Sequence, residues 1–197
     1  MTAPPETADQ AAERINGVDV AALTATVRTF SQTEAPASWS AVSAWSPRGV
    51  VTSETACTLP SAEETPARHV IVSDLPRALG GQDGAPDPEA ALLAAINACV
   101  AHQYAALCAV NGVSLEKLRV ESEAAIDLNA TFRPGPNRAP GFERIRLRIF
   151  IEADASEPVL EKIHRLVRET SPALNSLARA VEIEAVTPSP ENAKEHG

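Results

Sequence analysis

The sequence predicts an α+β fold, and three observations carry that expectation. Segments with period-two alternation and segments with helical period come in blocks, not in strict alternation. One long run, Ala90 to Val110, is apolar nearly all round and reads as a helix buried on every side. Two alternating runs, Arg119 to Leu128 and Glu143 to Glu152, set acidic side chains on one strand against arginines on the other. Only 7 of the 197 residues are aromatic, so Ala, Val, Leu and Ile must fill the interior.

Residues 1–15 lack hydrophobic periodicity and read as a disordered arm, and residues 187–197, with Pro188 and Pro190, as a disordered tail. A single domain is expected over 16–186. Asp19 is placed to cap a short helix with Val20, Leu23, Val27 and Phe30 at helical spacing. Trp39 to Ser46 then reads as a strand with Trp39, Ala41, Ser43 and Trp45 on one face. Ser46-Pro47-Arg48-Gly49 has turn chemistry, and a hairpin partner follows from Val50 to Thr58. A third strand, His69 to Ser73, leads into a glycine-bearing loop from Leu75 to Asp87.

Asp87, Pro88 and Glu89 make a strong helix start, with a capping side chain, a proline where no N–H is needed and an acid at the positive end of the dipole. The central helix therefore spans 88–110, and Asn111-Gly112 supplies its stop. A membrane span is disfavoured because the run is alanine-rich, holds Asn97, His102 and Gln103 near its middle and lacks flanking Lys or Arg. After the two charged strands, Ser156 is placed to cap an amphipathic helix with Leu160, Ile163, Leu166 and Val167 inward. Ser171-Pro172 opens a further turn, and Val181 to Val186 reads as a last strand.

Net charge excludes one broad function. With 17 Lys plus Arg against 26 Asp plus Glu, the formal charge is −9, which argues against a general nucleic-acid binder. The N-terminal residues lack the basic, apolar and small-residue order of a secretory signal, so a cytoplasmic location is expected. Three cysteines, Cys57, Cys99 and Cys108, are too few for a disulfide framework and read as reduced thiols. Cys99 and Cys108 are separated by about 13 Å of helix rise and cannot pair within it.

His102 follows Cys99 by three residues, about 60° round the helix at roughly 100° per residue, so the two can share a face. A neighbouring imidazole can take the thiol proton or stabilise the thiolate. The plain alternative is a small buried hydrophobe beside a core histidine. No metal centre is expected, since there is no Cys-x-x-Cys or His-x-x-x-His, and no cofactor fingerprint is present: the 75–87 loop lacks a Gly-Lys-Ser/Thr ending.

The ordered set of segments carries a further reading. Ser73-Asp74-Leu75-Pro76, Leu79-Gly80-Gly81-Gln82-Asp83-Gly84, Pro88 to Ala95, Asn97-Ala98-Cys99, Asn111-Gly112-Val113, Phe132-Arg133-Pro134-Gly135, Gly141 to Arg146 and Ser171-Pro172 together resemble the OsmC/Ohr family of osmotically inducible and organic-hydroperoxide-resistance proteins. The resemblance covers roughly residues 38–186, and Ile15 to Asp19 with its helix looks like the extension of one OsmC-like subgroup. It implies an intertwined homodimer in which antiparallel sheets wrap long central helices. It also implies a thiol peroxidase in which a first cysteine, matched by Cys99, attacks peroxide and a second, in Cys-Pro, closes a disulfide. Here Ser171 occupies that second position.

The family's glutamate at the head of the central helix is matched by Glu89, and Arg48 is the candidate for its arginine. The plain alternatives are dipole stabilisation for Glu89 and a solvated turn for Arg48. Glu89 stands about 15 Å of helix rise from Cys99, so an arginine bridging both requires a kink or the other subunit. Three functions remain open on sequence: a one-cysteine hydroperoxide reductase that uses Cys99 and an external thiol, a non-enzymatic small-molecule-binding dimer, and sulfur transfer through a Cys99 persulfide.

Overall fold

A computed structural model describes residues 14–30, 36–60, 66–133, 135, 140–179 and 181–187. Most of the expected arm and tail therefore lies outside the described residues. Arg14 and Ile15, expected within the arm, instead form strand β1 (Arg14–Ile15), which pairs with β2 (Val18–Asp19). Their turn is Asn16-Gly17, with φ of 54° and 77°, the left-handed pair that a two-residue hairpin requires. Asn16 Oδ1 accepts from Leu115 N at 2.8 Å, and its Nδ2 donates to Val113 O at 3.0 Å. The hairpin is thereby fixed to the start of a distant strand. Helix α1 (Val20–Phe30) follows, capped as expected by Asp19, whose Oδ1 accepts from Ala22 N at 2.8 Å.

Strands β3 (Ser38–Trp45), β4 (Val51–Thr58) and β5 (Arg68–Ser73) form an antiparallel sheet in that order. Gly49 N donates to Ser46 O at 2.9 Å to close the expected turn. Register pairs Trp39 with Cys57 and Thr55 with His69, so both tryptophans, Cys57 and His69 share one face. This sheet makes at most marginal contact with other elements, and Trp39 and Trp45 remain 72% and 69% exposed.

The loop into the central helix is organised by Asp74, which is only 3% exposed. Its carboxylate accepts from Leu75 N at 2.8 Å, Gln82 N at 3.2 Å and Gly84 N at 2.9 Å. Asp87 Oδ1 then accepts from Ala90 N at 2.7 Å, and Pro88 opens α2 (Pro88–Val110), as the start signal predicts. Gly112, at φ 70°, ends it: Gly112 N donates to Ala109 O and Val113 N to Cys108 O, the paired bonds of a left-handed helix stop.

Helix α2 buries Ile96, Val100, Tyr104 and Cys108, a line at four-residue spacing. That line packs on the hairpin of β6 (Leu115–Ala124) and β7 (Ile145–Ala153), and on α4 (Glu157–Thr170) and α5 (Pro172–Ala178), with Ile163 and Val167 in the shared core. The expectation of a helix buried on every side fails for the single chain. Leu92, Ala94, Ala95, Ala98 and His102 are exposed, because the described residues leave this side of the helix without full cover.

Strand β6 begins and ends four residues earlier than the alternation predicts. Its register shifts between Leu115 and Lys117, and the extra residue breaks the period that would have revealed the true start. At the other end, Asp127 Oδ1 accepts from Asn129 N at 2.9 Å and starts the short helix α3 (Leu128–Phe132) at the last residue of the expected strand. The charged ladder forms as expected: Arg146 and Arg148 reach Glu123 at 2.9 and 3.0 Å. Ser156 sits at the head of α4 without a capping hydrogen bond from its side chain. Val181 to Val186 is not a strand: among the described residues no strand pairs with it, and Ile183 is 87% exposed.

Two predictions follow from the Asp74 loop. A Cβ built at Gly81 would lie 1.9 Å from Leu75 O, so Gly81→Ala should displace the loop and lower stability by roughly 2 kcal/mol or more, whereas Gly135→Ala, with nothing within 4 Å, should stay within about 0.5 kcal/mol in thermal melts. The Gly84 N–H above all, helped by those of Gln82 and Leu75 and opposed by burial, holds the Asp74 carboxyl below its ordinary 3.8. Its stabilisation is complete above the unfolded value and is lost as pH falls through the lower folded value. Melts between pH 2 and 6 should show a smaller acid-induced loss in Asp74→Asn than in the parent.

Candidate functional site

Cys99 lies on α2 at the border between its covered and open halves and is half-buried. Its Sγ is 3.5 Å from Ser171 Oγ. Ser171 is fully buried, at the corner where α4 ends and α5 begins. The corner forms because Pro172 cannot continue the first helix but suits the first turn of the next.

Two further side-chain bonds tie α2 to α4 beside this contact. Gln103 Nε2 donates to Thr170 Oγ1 at 2.8 Å, and Tyr104 Oη lies 2.7 Å from His164 Nδ1, the rings meeting edge to face at 5.5 Å between centroids. Burial pushes the Tyr104 hydroxyl above its ordinary titration range, so it remains a neutral partner for the imidazole. Asn175 Nδ2 donates to Ser171 O at 2.9 Å and Glu169 O at 3.2 Å, holding the corner's backbone from the other side.

The other sequence candidates lie apart from this contact. His102 is exposed on the open half of α2 and lines a shallow groove with Asn16, Ala101, Ala105 and Lys117. Glu89 is exposed in the first turn of α2, and Arg48 is exposed in the β3–β4 turn, where its carbonyl accepts from Gln82 Nε2 at 3.2 Å. Within the chain, none of these three side chains makes a hydrogen bond or ion pair to the described residues. Cys108 faces inward, and burial pushes its thiol above the ordinary range. Cys57 lines a groove on the β3–β4–β5 face with Trp39, Thr55, Leu59 and His69. Among the described residues no three His, Cys, Asp or Glu side chains gather as metal ligands.

Sequence reasoning missed Gln103, Thr170 and Asn175 as supports of the corner. Gln103 carries a signal in retrospect: a glutamine in an apolar helix one turn after Cys99 needs a polar partner.

The family model for OsmC-like proteins matches residues 81–186, more than half of the chain and including Cys99 and Ser171. No curated protein matches. Among solved structures, the OsmC-like protein from Mycoplasma pneumoniae is 18% identical, with 74% of this chain and 89% of that one covered at a TM-score of 0.55. An organic hydroperoxide resistance protein OsmC from Legionella pneumophila is 20% identical, with 71% and 88% covered at 0.46. The first likeness supports the fold of antiparallel sheets and a long helix, and the family match over more than half of the chain shows that it belongs to the OsmC-like proteins.

Proposed function

We propose that the protein is a one-cysteine hydroperoxide reductase that acts as a homodimer. The observation that supports the chemistry most directly is the 3.5 Å approach of Cys99 Sγ to the buried Ser171 Oγ. Cys99 is accessible, unlike Cys108, and faces a group that cannot form a disulfide. Its thiolate attacks the distal oxygen of a hydroperoxide: the S–O bond forms, the O–O bond breaks, and the alkoxide takes a proton and leaves as an alcohol. Sulfur is thereby oxidised to a sulfenic acid. An external monothiol condenses with it, releasing water and leaving a mixed disulfide. A second thiol attacks that bond, regenerates Cys99 and carries away a small disulfide.

Two uncovered surfaces support the homodimer. The β3–β4–β5 sheet leaves Trp39, Trp45, Val70 and Ile71 exposed, and α2 leaves an apolar half open. Small alanines and His102 on that half suit close packing against protein better than lipid. Glu89 and Arg48 are proposed to hold the Cys99 thiolate, the arginine bridging carboxylate and sulfur, and this needs the second copy because Glu89 stands about 15 Å along an unbroken helix from Cys99 of its own chain. His102, about 60° round the helix, is proposed to assist proton transfer at Cys99.

A binding function is favoured by one observation, the groove of about 680 Å³ lined by Trp39, Cys57, Leu59 and His69. It predicts an apolar ligand retained on purification and no Cys99 sulfenate on exposure to peroxide.

Peroxide consumption with a monothiol reductant should be lost in Cys99→Ser and retained in Cys108→Ser. Ser171→Cys should gain a peroxide-driven bridge to Cys99 and dithiol-dependent turnover, since the two side-chain atoms need approach only from 3.5 Å to about 2.0 Å. Peptide mapping that finds no bridge in this variant, or a Cys57 to Cys99 bridge in the parent, would overturn the one-cysteine mechanism. Sedimentation should show a dimer at micromolar concentration; a stable, fully folded monomer would exclude the proposed assembly.

A further inference from the structure

We infer that the Ser171 hydroxyl is a catalytic group in its own right: the hydrogen-bond donor to the Cys99 sulfur when it reacts as a thiolate. The inference rests on the reading of Cys99 as nucleophile and goes beyond it by giving the residue in the second-cysteine position a positive role.

Serine at the head of a helix ordinarily turns its oxygen onto the backbone N–H of the first turn. Ser171 does not: its side chain makes no capping bond on α5, and Cys99 Sγ, at 3.5 Å, is its hydrogen-bond partner. The hydroxyl is fully buried, so water cannot replace that partner, and a buried hydroxyl without one carries a desolvation penalty. Toward a neutral thiol the contact can run in either sense. Toward a thiolate only one sense exists, with Ser171 donating and sulfur accepting, and a hydrogen bond to an ion is the stronger kind. The pair therefore favours the charged form of Cys99.

The geometry is held in advance. Ser171 N donates to Val167 O at 3.0 Å, Asn175 grips the carbonyl of Ser171, and the Gln103–Thr170 bond clamps α2 to the same corner one turn beyond Cys99. The oxygen is thus directed at the sulfur by the fold, with little ordering left to be done on ionisation. A thiol in the same place is a weaker donor.

The test is site-resolved alkylation of Cys99 across pH, read by peptide mass spectrometry so that Cys57 and Cys108 do not contribute. Ser171→Ala should raise the pH midpoint of Cys99 labelling by about half to one unit. The neutral-pH rate should fall by only about two- to fourfold, because a more basic thiolate is intrinsically more nucleophilic and offsets part of its lost population. Ser171→Thr keeps the hydroxyl and should hold the midpoint near the parent's. Should the alanine variant fail to fold, Ser171→Gly removes the same hydroxyl at a position where glycine is tolerated. A midpoint unchanged in folded Ser171→Ala or Ser171→Gly overturns the inference, as does an equal rise in Ser171→Thr, which would assign the effect to packing. Peroxide turnover by the parent separates the two readings. A shifted midpoint without parental turnover removes the peroxidase reading alone; turnover with an unshifted midpoint removes the role of Ser171 alone.

Discussion

Helix α2 carries apolar side chains around its whole circumference, and the described residues cover about one half of it. The covered half is the line Ile96, Val100, Tyr104, Cys108, each at most 2% exposed, and an aliphatic side chain such as Ile96 or Val100 contributes roughly 1.5–3 kcal/mol when taken from water. Everything packed there, from the β6–β7 hairpin to Ile163 and Val167 of α4, depends on that line. The open half has no polar stripe to solvate it. Of the other described elements α1 and β2 touch α2, yet Leu92, Ala94, Ala95, Ala98 and His102 remain exposed, and these side chains contribute little to stability until another surface meets them. The helix is consequently both the core of the folded unit and half of a surface left unfinished by it.

The position of Cys99 follows from this division. A cysteine further into the covered half behaves as Cys108 does, with burial penalising its thiolate and blocking access. A cysteine at the centre of the open half would have no fixed neighbour within the chain. At the border, Cys99 is reachable yet lies against a rigid corner, and the rigidity comes from two polar bonds between elements distant in sequence, Gln103 with Thr170 and Tyr104 with His164, and from a local one, Asn175 with the end of α4. Such bonds cost little where each group is satisfied, and they fix the hydroxyl of Ser171 to a narrow range of directions.

Local signals in the sequence are legible where one residue dictates one conformation. Asp19 and Asp87 cap the helices they precede, Asn111-Gly112 ends α2, and Ser46 to Gly49 makes the turn between paired strands. The errors arise where two signals compete. The bulge after Leu115 hides the start of β6 by breaking its period, and Ile126 and Leu128 continue an alternation that the Asp127 cap overrides. Asn16-Gly17 was legible and missed, being a two-residue turn between strands too short to show alternation. Cys99 is legible from its place in the ordered family motifs. The Gln103–Thr170 bond is not, because pairing across 67 residues leaves no trace in spacing; nor is the grip of Asn175 on Ser171 O, since the corner it holds forms only where α4 ends.

The β3–β4–β5 sheet raises the same requirement as the open half of α2, and its chemistry narrows what can satisfy it. With a net charge of −9, two copies of this chain repel one another over most orientations. Register places Trp39, Ala41, Ser43 and Trp45 beside Val51, Ser53, Thr55, Cys57, His69 and Ile71 on one face, with no Asp, Glu, Lys or Arg among them. On the opposite face, Glu54 and Arg68 neutralise each other at 3.1 Å. A surface without net charge on an acidic protein is where association costs least electrostatically, and one flanked by two exposed tryptophans is where burial returns most. Helix α2 offers a counterpart of matching character, its open half built from alanines, Leu92 and His102 without an acidic or basic side chain between Ala90 and Val110 other than the histidine. Charge thus suits contact between these two surfaces in the homodimer proposed above, and Cys99, half-buried at the edge of one of them, would then lie at the margin of that joint.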